Sequence, residues 1–428
     1  MRGILASSIG VTCAAALALP LTPPASAATT PANRGAAPTG AYVPGSTQSL
    51  PLAPLGRNRA PGAAEQGVPR RDVPRFSLVG VVWDDPATEL HGQVQVRTRA
   101  AATGVWSGWQ ELETHNADHA ADPGTAESTS GRVRGATAPL WVGESDGVEV
   151  RVRADSAPGA ARTASHTTGS ARHTAFALPT GMRLELVDPG EGAPPAPADG
   201  PRTTAAAAGP APLGAHEIPA ERQRVKPYTG PRPAITTRRG WGADEKLREK
   251  KSVYTKKVKA AFVHHSATGN NYRCSQAPSV IRSIYRYHVN SMGWRDLGYN
   301  FLVDKCGKIY EGRAGGVGKA VLGAHTYGFN SNSMGIAVLG TYSSKKPSSA
   351  AVKAVARLTA WKLGLSGMNP RGKTYLKSGG GNLYRKGKNV RLNVISGHRD
   401  GFATSCPGKK LYGKLGTARS TAAKYQGR

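Results

Sequence analysis

The C-terminal half of this 428-residue sequence has few acidic residues. Residues 231–428 hold 7 Asp and Glu against 37 Lys and Arg, so this half carries the whole formal net charge of +30. Such a field attracts polyanions, and the attraction weakens with salt. Nucleic acid is one candidate, but the sequence lacks any helix-turn-helix, zinc-finger or base-stacking signature, which argues against a nucleic-acid-binding protein. Acidic wall polymers or anionic lipid remain as partners, and so does a role in solubility alone.

Long apolar runs are also missing, apart from the 17 residues between Gly3 and Leu19, a length that is marginal for a membrane span. This run follows Arg2 and precedes the small residues "ASA" at 25–27, which is the layout of a secretory signal peptide. We therefore expect residues 1–27 to be a signal peptide cleaved after Ala27. The mature protein is expected to be secreted, without a stable membrane anchor.

Cysteine is scarce, with 4 in the chain, and Cys274, Cys306 and Cys406 follow the signal peptide. Outside the cell a pair is expected to be oxidised, and an odd number leaves one thiol over. Cys274 and Cys306 flank a helix-like segment and the strand after it, so a disulfide between them can close this loop. That pairing leaves Cys406 available for chemistry.

Composition divides the rest of the chain into two folded regions and two linkers. Residues 28–70 and 189–234 are rich in Ala, Pro and Gly and are predicted to be disordered linkers. Between them, residues 71–188 contain short alternating runs such as "FSLVGVVW" and "GVEVRVRA". These runs predict an all-β, sandwich-like accessory domain of unknown role, with 115–130 and 155–173 as long surface loops.

Residues 235–428 alternate strand-like and helix-like segments. The run "KAAFVHHSA" at 259–267 indicates a buried strand, and a helix is expected from Ser275. A hairpin is predicted around Lys305–Gly307 and a second helix over 348–363. The alternation predicts an α/β mixed-sheet domain with flanking helices.

Histidines end two of these predicted strands. His264 and His265 end one strand, His398 ends another, and Cys406 lies in the loop after His398. Zinc accepts imidazole nitrogen and thiolate, and a catalytic zinc site has three protein ligands and one water. A set of two histidines and one cysteine is therefore available. Because adjacent strand residues face opposite ways, alternation alone does not choose between His264 and His265.

Five motifs then carry a resemblance to a known family. "RRGWGA", "FVHHSA", "GWRDLGYNFLVDKCGKIYEGR", "GAHTYGFNSNSMGIAVLG" and "SGHRDGFATSCPG" occur in this order over roughly residues 235–420. On these motifs the chain resembles the zinc amidases shared by peptidoglycan-recognition proteins and amidase-type phage lysozymes. A β-rich module ahead of such an amidase resembles secreted actinobacterial wall enzymes. The resemblance implies hydrolysis of the amide between N-acetylmuramic acid and the L-alanine of the peptidoglycan stem peptide.

The resemblance also implies roles for individual residues. His264, His398 and Cys406 match the ligands of one Zn²⁺ per catalytic domain. Tyr299 in "GYNF" matches the family's catalytic tyrosine, and Thr404 matches a threonine beside the cysteine that is expected to assist catalysis.

Three further residues are candidates for substrate contact. His325 and Asn330 match a motif near the family's substrate cleft, and Arg313 in "YEGR" could meet the peptide or close an ion pair. Non-catalytic members of the family usually have another residue in place of Cys406, so its presence favours an enzyme. The alternative is a peptidoglycan-binding protein without turnover. In either case peptidoglycan is the expected partner and a monomer the expected state.

Overall fold

The structure is a computed structural model that describes residues 44–55, 64–114, 116–157, 175–191 and 228–428. The predicted signal peptide at 1–27 lies outside the described residues. So do most of the predicted linkers and residues 158–173 of the predicted loop at 155–173. Within the described ranges, no helix has both the length and the apolar character that crossing a membrane requires.

The N-terminal domain is built from antiparallel strands, as predicted. Within the described residues its strands are β1 (Ser46–Pro51), β2 (Ala53–Pro54), β3 (Glu65–Trp83), β4 (Gly92–Ala100), β5 (Gln110–Leu112), β6 (Gly135–Ala136), β7 (Leu140–Ala154) and β8 (Arg183–Asp188). The strand order is β1-β8-β3-β7-β4-β5, and β2 and β6 also pair with β3. Valines alternate along β4 and β7, and their buried faces form the core of this domain.

The boundary of this domain differs from the prediction. Residues 28–70 were expected to be a linker, yet β1, β2 and the beginning of β3 fall inside that range. β1 pairs along its whole length with β8, from Ser46 opposite Asp188 to Pro51 opposite Arg183. An edge strand of this kind is held by backbone hydrogen bonds and tolerates proline, so its composition does not distinguish it from a linker.

The C-terminal domain is a mixed α/β domain, which confirms the predicted fold class. Its strands and helices are β9 (Ile235–Thr236), β10 (Ala260–His265), α1 (Ala277–Arg286), β11 (Phe301–Val303), β12 (Ile309–Glu311), β13 (Ser333–Val338), α2 (Ser349–Gly364), β14 (Lys373–Lys377), β15 (Asn389–Asn393), β16 (Ile395–Gly397), α3 (Lys409–Tyr412) and α4 (Leu415–Tyr425). The main sheet has the order β16-β10-β13-β11-β12-β9, and β14 and β15 form a separate hairpin.

Helices cover both faces of the main sheet. Phe301 and Val303 of β11 point into one core with α2 and α4, whereas Leu302 points into another core with α1. Ser348 caps the start of α2 by accepting a hydrogen bond from the amide of Ala351. The helix begins and ends within one residue of its predicted bounds.

The predicted disulfide is present in this domain. It joins Cys274, just before α1, to Cys306 in the turn between β11 and β12, with 6.2 Å between their Cα atoms. It therefore ties the start of α1 to the hairpin.

The two domains share one hydrophobic core. Leu78, Val82 and Val187 of the β domain are buried in the same cluster as the apolar residues of α1. Tyr287, directly after α1, is fully buried, and its hydroxyl donates to the carbonyl oxygen of Thr137 at 3.0 Å. The β domain is thus packed against the α1 side of the main sheet.

Residues 116–127 of the β domain also lie against the C-terminal domain. They fall in the segment 115–130 that was predicted to be a surface loop, but Asp118, His119, Ala121 and Glu127 are buried. The prediction was wrong because the cover comes from the other domain, whose backbone and side chains satisfy the polar groups of this segment.

Candidate metal centre

Two parallel strands bring histidines from distant parts of the chain together. β10 and β16 are neighbours, and Val263 pairs with Gly397. His264 and His398 are the next residues along each strand, so both lie at the carboxyl-terminal edge of the sheet. Their ring centroids are 4.5 Å apart, and both side chains are fully buried.

Cys406 lies beside these histidines, on the loop that follows β16. Its Sγ atom is buried, 3.8 Å from Nδ1 of His264. Thr404 supports this loop, because its Oγ1 atom accepts a hydrogen bond from the amide of Cys406 at 3.2 Å. The structure therefore brings together the three predicted ligands.

The choice between the paired histidines is decided by the fold. Nδ1 of His264 faces Cys406, and its Nε2 lies 3.4 Å from the hydroxyl of Thr326. His265 faces the other way, where its Nδ1 accepts from the amide of Tyr342 and its Nε2 lies 3.6 Å from the Glu113 carboxylate. His265 thus packs beside the site, outside the cluster of donor atoms.

A fourth donor comes from the β domain. Nε2 of His119 lies 3.8 Å from Sγ of Cys406, and the donor atoms of His119, His264, His398 and Cys406 all lie within 4.8 Å of one another. Tetrahedral zinc with bond lengths of about 2.1 Å to nitrogen and 2.3 Å to sulfur places nitrogen and sulfur ligands about 3.6 Å apart. The two distances of 3.8 Å from Sγ of Cys406 to His119 and His264 are close to this value.

The lack of hydrogen-bond partners for His398 also suits a metal ion at this site. Neither of its buried ring nitrogens has a hydrogen-bond partner within the described part of the chain. An unpartnered buried polar group is costly, and metal coordination is one way to satisfy it. Burial lowers the pKa of His398 to about 3, so the imidazole is neutral, which is the form that binds metal ions.

Burial also shifts the pKa values of His264 and Cys406. It lowers the pKa of His264 well below its ordinary value, an effect to which the neighbouring His398 adds. It raises the pKa of the Cys406 thiol well above its ordinary value. A bound cation reverses this preference and favours the thiolate.

Asp118 holds the ring of His119 in place. Its Oδ1 atom lies 2.8 Å from Nδ1 of His119, and its Oδ2 atom lies 3.7 Å from Nδ1 of His398. Burial would raise the pKa of Asp118, but the two histidines outweigh burial and hold that pKa well below its usual range. A carboxylate that accepts from the outer nitrogen of a histidine is the usual support for a metal ligand.

The two predicted catalytic residues lie beside the donor cluster. The Tyr299 ring is buried, with its centroid 5.4 Å from that of His264 and 5.8 Å from that of His119. Burial, with Cys406 nearby, raises the pKa of Tyr299 well above its ordinary value, so its hydroxyl keeps its proton. Thr404 lines a cleft of about 380 Å³ that opens between the domains and also reaches Asp118 and Phe402.

The predicted substrate contacts are covered in this arrangement. The amide of Asn330 donates to the carbonyl oxygen of Ala120 and to Asp122, while Arg313 forms a two-pronged ion pair with Glu127. His325 is fully buried behind the site, with its Nδ1 3.0 Å from the Thr326 hydroxyl. Each of the three contacts the β domain or supports the site, and none faces open solvent.

Sequence reasoning missed His119 and Asp118. They lie in "NADHAADPG", a stretch of small and acidic residues in a different domain, with no ligand spacing to the other donors. Only the packing of the two domains places this Asp-His pair at the edge of the main sheet.

Two models of known protein families match the chain. The family model of N-acetylmuramoyl-L-alanine amidases matches residues 254–409. A second model, described as the Rv3811 N-terminal galactose-binding domain-like family, matches residues 31–173.

Curated relatives match the C-terminal domain. Peptidoglycan-recognition protein SC2 of Drosophila simulans is 30% identical over 185 residues, which are 43% of this chain and 85% of that protein. Its namesake in Drosophila melanogaster is 32% identical, over 37% of this chain and 72% of the relative. Peptidoglycan-recognition protein 1 of Holotrichia diomphalia is 33% identical, over 43% of this chain and 79% of that protein. The chain therefore belongs to the peptidoglycan-recognition protein and type 2 amidase family, and it carries a galactose-binding-like β domain ahead of its amidase-type α/β domain.

Proposed function

We propose that this protein is a zinc-dependent N-acetylmuramoyl-L-alanine amidase. It cleaves the amide between the lactyl group of N-acetylmuramic acid and the L-alanine of the stem peptide. The observation that carries the proposal is the convergence of His264, His398 and Cys406 within the amidase-type domain, with unpartnered nitrogens on His398. A site of two histidines and one cysteine suits zinc.

The residues around the donors have distinct tasks in this reaction. A zinc ion held by His264, His398 and Cys406 would supply the means to activate a water near neutral pH and a Lewis acid for the scissile carbonyl. Thr326 orients the ring of His264 through its outer nitrogen. Tyr299, which keeps its proton, donates to the negative charge that develops on the carbonyl oxygen. Thr404 holds the Cys406 loop and adds a hydroxyl beside the cleft.

We further propose that the protein is exported and acts at the cell wall. The signal-peptide layout of residues 1–27 supports export. The excess of positive charge in residues 231–428 would hold the domain near acidic wall polymers, with an attraction that weakens as salt rises.

One observation favours a second candidate, a peptidoglycan-binding protein without turnover. Structural zinc sites have four protein ligands, whereas catalytic ones keep a position for water. His119 brings the number of protein donors to four. Family membership fits both functions, so product analysis must separate them.

The test uses the full chain loaded with zinc and incubated with purified peptidoglycan. Mass analysis of the soluble fraction should find stem peptides with a free L-alanine amino group, and Cys406→Ala and chelator-treated protein should release none. The same assay is run on His119→Ala, because His119 is the fourth donor side chain at the site. If wild type and His119→Ala both bind the wall and neither releases peptide, the amidase proposal is wrong and the binding function stands.

Tyr299→Phe is expected to lower the hydrolytic rate by a factor of about 10²–10³, because the variant lacks the donor to the developing oxyanion. Zinc content should not change, since the tyrosine hydroxyl is not among the donor atoms. Tyr310→Phe is the matched control. It removes another buried tyrosine hydroxyl, which donates to Asp304 at 2.8 Å away from the site, and it should keep the wild-type rate. Equal rates for the two variants would remove Tyr299 from the mechanism.

A further inference from the structure

The segment 116–127 of the β domain is held in the amidase domain by backbone and side-chain contacts. The Tyr327 amide donates to the carbonyl oxygen of Asp118 and the Asn330 side chain donates to that of Ala120, and two acidic side chains anchor the segment further along. At one point, Oδ1 of Asp122 accepts from the amides of Gly328 and Asn330 and from the side chain of Asn330. At the other, the Glu127 carboxylate pairs with Arg313 at 2.7 and 2.8 Å, and both side chains are less than a tenth exposed. These contacts fix the residues that follow His119 against the amidase domain.

His119, just ahead of the first point, is arranged as a ligand. Its Nδ1 atom is engaged by Asp118, which leaves Nε2 directed at Cys406. The same side chain lies between the rings of His398 and Tyr299, with centroids at 4.5 and 5.8 Å. It therefore lies against both the proposed ligand His398 and the proposed catalytic residue Tyr299.

We propose that His119 is the fourth protein ligand of the metal and that it keeps the site closed, so that this chain is a latent amidase until the segment 116–127 withdraws. The latency rests on the proposed function, whereas the ligand assignment does not. With three histidines and one cysteine bound, the ion has the four ligands of a structural site and no position for water. Withdrawal of His119 would restore the three-ligand site of an amidase.

The packing allows the segment to move without separating the domains. Ala121 of the segment is buried in the shared core with Leu78, Val82, Val187 and α1, so withdrawal would take this small side chain out of the core and leave the other residues packed together. A cleft of about 280 Å³ runs beside Asp122, Glu127 and Arg313, and the cleft of about 380 Å³ reaches Asp118. The segment thus has open space along it, and its withdrawal also uncovers Asn330 and Arg313, the predicted substrate contacts.

The test replaces zinc with Co²⁺ in the full chain and records the visible absorption of the metal. Azide, a small anion that binds an open coordination position, should leave the wild-type spectrum unchanged. It should shift the spectrum of His119→Ala, and added imidazole should return that spectrum towards the wild type. His91→Ala is the matched control, because it removes an exposed histidine of the same domain that stacks on Phe176 away from the site. It should behave as wild type.

Hydrolysis is measured on the same zinc-loaded proteins. His119→Ala is expected to release stem peptides about 10 to 100 times faster than wild type, as for a site that is open only a small fraction of the time. A wild-type cobalt spectrum that responds to azide overturns the inference, and this measurement needs no variant. If the spectra differ as expected but no protein cleaves, the fourth ligand stands and the amidase proposal fails. Equal cleavage rates would overturn the latency.

Discussion

Zinc at a thousand times its dissociation constant is expected to stabilise the folded chain by about 4 kcal/mol. The reason is that the donors are gathered only in the folded state, where the ring nitrogens of His398 have no other described partner. Since His119 comes from the β domain and the other donors from the amidase domain, the ion should stabilise both domains together. Thermal or denaturant unfolding of the full chain, with zinc or with chelator, measures the effect.

One variant serves as the control for this prediction, and a second measures the contribution of a ligand. Ser405→Ala changes an exposed hydroxyl next to the ligand and should keep the full effect of zinc. In Cys406→Ala, each tenfold loss of zinc affinity should remove about 1.4 kcal/mol of that stabilisation. If zinc leaves wild-type unfolding unchanged, the donor cluster does not hold a metal and the proposed chemistry loses its basis.

Arg313→Ala is expected to lower the free energy of unfolding by about 3–5 kcal/mol, because it leaves the carboxylate of Glu127 buried without its partner. Glu127→Gln introduced into the same variant should recover part of the loss by removing the buried charge. Arg132→Ala is the control, since it breaks another ion pair between the domains, with Glu249, in which the arginine is 57% exposed. That pair should contribute about 0–1 kcal/mol. If Arg313→Ala and Arg132→Ala lower the free energy of unfolding equally, the Arg313 pair is open to solvent.

The contribution of this pair also depends on pH. Burial would raise the pKa of Glu127, but Arg313 outweighs burial and holds that pKa below its ordinary value of 4.5. The folded state therefore binds this proton more weakly than the unfolded state. The stabilisation is complete above pH 4.5 and is lost as the pH falls through the lower folded-state pKa. In Arg313→Ala this part of the acid dependence should disappear, which denaturant unfolding at several pH values measures.

Local sequence patterns determined most of the architecture. Alternating valines predicted β4 and β7, and Pro347 at one end with Gly364 at the other predicted α2, because these signals act over a few residues. The disulfide between Cys274 and Cys306 was predicted from the count of cysteines and the segment that they flank. The motifs around His264, His398 and Cys406 predicted a three-ligand set, since both histidines end strands of one sheet.

Other features depended on contacts between residues far apart in sequence. β1 looked like a linker, since its stability comes from pairing with β8, more than 130 residues later. His264 and His265 end the same buried strand, so only the surrounding elements decide which one faces Cys406. Asn330 was expected to contact substrate, and Arg313 to meet the peptide or close an ion pair. The partners that cover both residues come from the other domain.

His119 illustrates the difference between what the sequence determines and what the tertiary structure decides. The sequence predicted the amidase-type domain, the β domain ahead of it and, through the family motifs, three candidate metal donors, because each is encoded in a contiguous motif or a local alternation. The fourth donor, and with it the difference between an open and a closed site, was decided by tertiary structure alone. His119 is separated from His264 by more than 140 residues, and only the core shared by Leu78, Val187 and α1 brings the two within reach of one ion.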